Sequence, residues 1–174
     1  NIDYFFGVGI DITDRKRAED KIEYITYHDN LTDLFNRSYF QDWKKTLGEA
    51  QCPLTVIFID IDNLKLVNDA FGHQIGDKKL VKSAKIVKYS CREDDLVFRW
   101  GGDEIVVMLP STTEEEGELV IERIIDNCAN SKFAPVDISL SAGRATIQKF
   151  QKERELDRVL KEAETRMYKD KMEG

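Results

Sequence analysis

The run LTVIFI at residues 54–59 restricts the fold more than any other feature of this 174-residue chain. A continuous apolar stretch of strand-forming residues has no polar face to offer solvent, so it predicts a central strand covered on both sides. The run stops abruptly at Asp60, Ile61 and Asp62. Two carboxylates therefore stand where a buried strand emerges.

Around that strand, helix and strand patterns alternate. A helix is expected over 38–47. After the strand comes the turn-rich stretch NDAFGHQIGD, then an amphipathic helix carrying Leu80, Val81, Ala84 and Val87. Strands at 96–100 and 105–109 flank Gly101-Gly102-Asp103-Glu104, which reads as a hairpin whose turn uses its glycines for positive φ. A helix over 114–130 puts Val120, Ile121, Ile124, Ile125 and Cys128 on one face. A strand at 136–146 and a helix at 153–172 complete the pattern. The order predicts an α/β (α+β) fold with a central, mostly antiparallel sheet flanked by helices.

The first residues differ in character. YFFGVGIDI at 4–12 reads as a strand, and Asp14 as the N-cap of a charged helix with Ala18, Ile22 and Ile25 at steps of four and three. That narrow stripe suits either pairing with a second copy or a solvated linker helix.

Charge excludes some partners. With 33 acidic and 26 basic side chains the net charge is −7, so no general field attracts nucleic acid or an anionic membrane, and neither is expected as a partner. Cys52, Cys91 and Cys128 form no CxxC pair and read as buried thiols in a reducing compartment. No apolar run approaches the roughly 20 residues of a membrane span, and no signal peptide is evident, so a cytoplasmic segment is expected.

The chemistry concentrates in two acidic clusters, Asp60 with Asp62 and Asp103 with Glu104. Acids are common in turns, but if the two strands are neighbours these carboxylates converge, and their mutual repulsion asks for a divalent cation such as Mg²⁺. Between them, Asn68 and Asp77 suit guanine: a carboxylate accepts from N1–H and N2–H, and an amide donates to O6. Asp77 also reads as the N-cap of the next helix, and His73 as a structural histidine.

The string RWGGDEI at 99–105 resembles the RYGGDEF signature of GGDEF domains, which are diguanylate cyclases. Three further segments resemble that family's motifs in order: HDNLTDLFNR at 28–37, FIDIDNLKLVNDAFGHQIGDKKL at 58–80 and SLSAG at 139–143. Ile105 departs from the signature's Phe and Leu64 from a common Phe, both apolar for apolar. The GVGIDITDRKRAE segment looks like the last strand and exit helix of a PAS sensor domain. The resemblance divides the chain into 1–14, the end of a truncated PAS domain, 15–29, a linking signalling helix, and 30–174, the catalytic domain with a nucleotidyl cyclase-like palm.

This resemblance implies condensation of two GTP into cyclic di-GMP with release of two pyrophosphates, in a sensor-regulated homodimer whose domains each hold one GTP. It places Mg²⁺, two per active site, or Mn²⁺ in its stead, on Asp60, the Ile61 carbonyl and Asp103. Asp103 is also the expected proton acceptor, Glu104 a supporting acid and Lys65 a transition-state stabiliser. Asn68 and Asp77 would read guanine, and the backbone at Asn63 and Leu64 together with Lys171 would hold the triphosphate. Arg92 and Asp95 stand where the family has its product-inhibition motif, making cyclic di-GMP a feedback ligand as well as the product. The alternative reading is a weakly active or inactive module that binds GTP or cyclic di-GMP as a receptor. A purely structural dimerisation segment would leave the acids unexplained.

Overall fold

In the computed structural model, which describes residues 13–150 and 154–173, the apolar run becomes strand β1 (Leu54–Ile61), buried along its whole length. Three more strands, β2 (Leu96–Arg99), β3 (Glu104–Leu109) and β4 (Leu140–Ile147), complete a sheet of order β2-β3-β1-β4. Every pairing in it is antiparallel. Among the described residues six α-helices accompany the sheet: α1 (Thr13–Tyr27), α2 (Arg37–Lys44), α3 (Leu64–Phe71), α4 (His73–Ser90), α5 (Glu114–Asn130) and α6 (Arg154–Glu173).

Strand alternation sorts β1 into two cores. Ile57, Ile59 and Ile61 join Leu80, Ala84 and Val87 of α4 and Val120, Ile121 and Ile124 of α5. Leu54, Val56 and Phe58 join Phe40 of α2 and Leu156, Val159, Ala163 and Met167 of α6. Both faces are covered, as the uncharged run requires.

The structure departs from the expected pattern at several points. The stretch read as turns is helical on either side of Gly72, whose φ of +84° lets the chain leave α3 and enter α4 at once. Asp77 consequently lies inside α4 and caps nothing. Strand β4 begins at Leu140 rather than 136, because Leu140 pairs with Ile61, the last residue of β1, and residues further back have no strand to meet. Asp14 lies in the first turn of α1 instead of capping it, and Asn36 caps α2, accepting from the Ser38 and Tyr39 N–H groups. Ile125 is 45% exposed at the edge of the α5 stripe.

Cys128 is buried and Cys52 and Cys91 half-buried, and burial pushes the Cys91 thiol up to about 12 and that of Cys128 up to about 11. Among the described residues no helix is long and apolar enough to cross a membrane. The expected strand at 4–12 and the Ala18 side chain lie outside the described residues. Ile22 and Ile25 are 66% and 50% exposed on α1.

Helix α6 lies directly on β4. A Cβ on Gly143 would stand 2.2 Å from the Met167 nitrogen and 2.3 Å from the Ala163 carbonyl oxygen, so the approach is backbone to backbone. The Ala142 N–H donates to Asp170 Oδ2 at 3.0 Å and pins the last turns of α6 to the same strand. Gly143→Ala is expected to destabilise the domain by about 3 kcal/mol, the upper end for overpacking, because neither backbone can yield locally. Urea unfolding measures it, and an unchanged midpoint would refute the close contact.

Candidate active site

The acidic clusters do converge. Asp60, only 5% exposed, pairs across β1 with Glu104 of β3 and Ser141 of β4. The Ile61 N–H donates to the Asp103 carbonyl at 3.0 Å, which lays the Gly-Gly turn against the end of β1. The turn does not use positive φ at its glycines: among the described glycines only Gly72 has it. A Cβ on Gly101 would come within 2.6 Å of Glu104 Oε2, the mobile end of a side chain that can swing aside.

Helix α6 brings Lys171 to this cluster, where Nζ donates to Asp60 Oδ1 at 2.5 Å. The ammonium expected on a triphosphate thus sits on a carboxylate expected on a metal. Burial, joined by the charges of Asp103 and Asp62, pushes the Asp60 carboxyl above the usual carboxylate range despite Lys171. Burial, then Asp103 and Asp60, does the same to Glu104. For Lys171, burial opposes the charge, but the hydrogen bond and charge of Asp60 outweigh it and raise the value.

Burial first and mutual repulsion second thus lift these carboxyls, and Lys171 offsets them only in part. Among the described residues no three His, Cys, Asp or Glu side chains are grouped to hold a metal. The expected set, Asp60, Asp103 and the Ile61 carbonyl, has two carboxylates and a carbonyl, the sparse oxygen donors with which Mg²⁺ is compatible when substrate phosphates complete its shell. In the metal-free protein, ionising Asp60 and Glu104 disfavours folding, so their contribution to stability falls as pH rises from the usual carboxylate range through their lifted values. Mg²⁺ should therefore raise Tm at pH 8, and the gain should fade on acidification at a higher pH than carboxylates of the ordinary value, about 4, would give. A thermal-shift series in pH tests this; an increment constant from pH 8 to pH 4.5 would contradict it.

Beyond β1 the chain turns through Asn63, left-handed at φ 59°, into α3, whose first residue is Leu64. Asn63 and Lys65 are exposed there and Leu64 is half-buried. Asn68, further along α3, packs against α4: its Oδ1 is buried without a hydrogen-bond partner and lies 1.8 Å from where a Gly76 Cβ would stand. The next residue, Asp77, is exposed on the rim of an open cleft of about 370 Å³ that Leu31, Val81 and Phe133 also line. Of the two residues expected to read guanine, Asn68 thus packs into the α3–α4 contact at Gly76, and Asp77 faces the neighbouring cleft.

The Arg92 and Asp95 pair is arranged differently from a simple ligand clamp. Asp95 is 3% exposed, and one of its carboxylate oxygens accepts the Arg92 N–H at 2.6 Å. That carboxylate braces its own turn, while the Arg92 side chain is exposed.

One trio escaped sequence reasoning. Arg99 Nη1 lies 3.0 Å from both carboxylate oxygens of Asp29, and Arg99 also donates to the Gly101 and Gly102 carbonyls. Asp29 accepts in turn from the Thr32 N–H and hydroxyl. Burial works to raise the Asp29 carboxyl, yet Thr32 and Arg99 hold it below the usual range. The loop after α1 is thus tied to the turn that carries Asp103. The Asp-x-x-Thr spacing was the available signal, since such pairs close local turns.

A doubly covered antiparallel sheet with converging carboxylates at one strand end, beside a helix N-terminus, defines a class of domain suited to phosphate esters and hard cations. The family model for "Diguanylate cyclase, GGDEF domain" matches residues 26–174, and the chain belongs to that family. It is 31% identical over 170 residues to the diguanylate cyclase DgcM of Escherichia coli, covering 94% of this chain and 40% of DgcM. It is 36% identical over 120 residues to the cyclic di-GMP phosphodiesterase PdeR of Escherichia coli, covering 67% of this chain and 18% of PdeR. The solved GGDEF domain of TpbB (YfiN) from Pseudomonas aeruginosa is 31% identical, with a TM-score of 0.71, over 84% of this chain and 90% of that one. The chain spans less than half the length of the curated relatives it matches.

Proposed function

We propose that the chain is the catalytic part of a diguanylate cyclase, joining two GTP molecules into cyclic di-GMP and releasing two pyrophosphates. The observation that carries this reading is the placement of Asp60, Asp103 and Glu104 at one strand end by the Ile61–Asp103 hydrogen bond. Intact acids there favour an enzyme over a receptor that only binds nucleotide.

In this reading the Asn63 and Leu64 N–H groups and Lys171 hold the triphosphate, and Lys171 leaves Asp60 to do so. Asn68 donates to guanine O6, Asp77 accepts from N1–H and N2–H, and the cleft beside Asp77 gives the base an apolar wall. Bound Mg²⁺, held by Asp60, Asp103 and the Ile61 carbonyl, supplies charge neutralisation at the phosphates and acidifies the attacking hydroxyl. Asp103 takes the proton of the 3′-hydroxyl, Glu104 supports it, and Lys65 faces the charge that grows on the α-phosphate. Each domain holds one GTP, so the working form is a homodimer. Arg92 with Asp95 forms the feedback site for cyclic di-GMP once the Asp95 turn opens.

Residues 1–14 are read as the end of a PAS domain, 15–29 as the helix that transmits its state, and 30–174 as the catalytic domain. Incubation with GTP or ATP in Mg²⁺ tests the reading. Turnover of GTP with little of ATP is expected, because adenine offers an acceptor at N1 and no 2-amino group. Equal rates would overturn the guanine assignment, and no turnover of either would overturn the enzyme.

A further inference from the structure

Helix α4 turns Leu80, Ser83, Ala84, Ile86, Val87 and Ser90 inward, and in the same buried set stands Lys79, 2% exposed. Lysine is almost never found there without a specific partner. Its Nζ donates to the main-chain carbonyl of Asp62 at 2.7 Å. Burial lowers the Lys79 pKa from the usual lysine value, and the charges of Asp62 and Asp137 oppose that shift.

Residue 62 is held at three points. Its N–H donates to the Ser139 carbonyl at 3.1 Å, its carboxylate accepts from Ser141 Oγ at 2.7 Å, and its carbonyl accepts from Lys79. The residues on either side are the functional ones: the Ile61 carbonyl before it, and after it the left-handed Asn63 and the start of α3. Lys79 also lines the open cavity of about 420 Å³ between α3 and the segment leading into β4, with Asn63 on the same wall. An apolar side chain would fill the position without desolvating a charge, so packing alone does not account for the lysine.

We infer that Lys79 is a positioning residue for the triphosphate turn: its ammonium fixes the Asp62 carbonyl and thereby the direction of the Asn63 and Leu64 N–H groups. It also sets a positive charge behind a turn otherwise crowded with carboxylates. The inference rests on the cyclase reading only in taking this turn as the triphosphate site.

Lys79→Met keeps the volume and removes the charge and donor. Affinity for a non-hydrolysable GTP analogue, measured by calorimetry, is expected to fall about tenfold with loss of this charge-assisted bond. Affinity for guanosine, read by ligand-observed NMR, should stay within about twofold, since guanosine has no phosphate to misplace. Tm should not fall, because a buried charge has been removed, and Lys79→Arg should recover part of the analogue affinity. If Lys79→Met does not fold, Lys79→Gln carries the same comparison. Unchanged analogue affinity, or parallel loss of analogue and guanosine, would reduce Lys79 to a structural role. A parent protein that binds the analogue no better than guanosine overturns the triphosphate site itself and the inference with it. A parent that binds the analogue but forms no cyclic dinucleotide overturns only the cyclase reading.

Discussion

Asp103→Asn should fold normally and lose at least about 100-fold in cyclic dinucleotide formation, the cost of removing the group proposed to act as both general base and metal ligand. The substitution preserves size, and the Asp103 carbonyl that receives the Ile61 N–H is main chain, so the turn keeps its place against β1. What disappears is a charge that raises both Asp60 and Glu104. The metal-free variant should therefore be somewhat more stable than the parent while being nearly inactive. Mg²⁺ should raise its Tm less than it raises the parent's. Activity and thermal unfolding, measured together, separate this from simple damage. A folded variant with parental product formation would remove Asp103 from the mechanism.

The second large effect concerns how two domains meet. Helix α1 has 15 residues and shows Ile22 and Ile25 to solvent, a seam of two turns. Isolated helices of this length are marginal in water, so pairing through α1 alone should be weak. Specific activity should rise with protein concentration, and fusing a strong coiled coil in register ahead of Arg15 should raise it about tenfold or more at low concentration, chiefly through effective molarity. Because Asn36 Nδ2 donates to the Thr26 and His28 carbonyls, and Asp29 holds Arg99, a change in α1 pairing has a hydrogen-bonded route to the Asp103 turn. A fusion shifted by half a heptad should then activate less than one in register. Equal activation by both registers would limit α1 to raising local concentration.

Much of this fold was legible because its signals were local. The uncharged run of β1 required cover on both faces, and the α5 stripe of Val120, Ile121, Ile124 and Cys128 followed from helical spacing. The convergence of Asp60 with Asp103 followed once β1 and β3 were neighbours. The misreadings have physical reasons. Asn68, Asp69, Gly72 and His73 are turn formers by composition, yet only Gly72 breaks the chain; tertiary packing of Val67 and Gly76 keeps the rest helical. The role of the Gly143 site depends on what lies opposite it, the α6 backbone, which no local pattern encodes. Lys79 and the Asp29–Arg99 pair were missed for the same reason, since charged residues read as surface until their partners are seen.

Two GTP molecules, held by two facing copies of the domain, are expected to become one cyclic dinucleotide. The direct measurement is the stoichiometry of GTP consumed, pyrophosphate released and cyclic di-GMP formed, followed across a dilution series with the oligomeric state recorded at each point. Two GTP consumed and two pyrophosphates released per cyclic di-GMP are expected, with specific activity following the dimer population. Flat specific activity in a protein that stays monomeric throughout, or a product made from a single GTP, would contradict it.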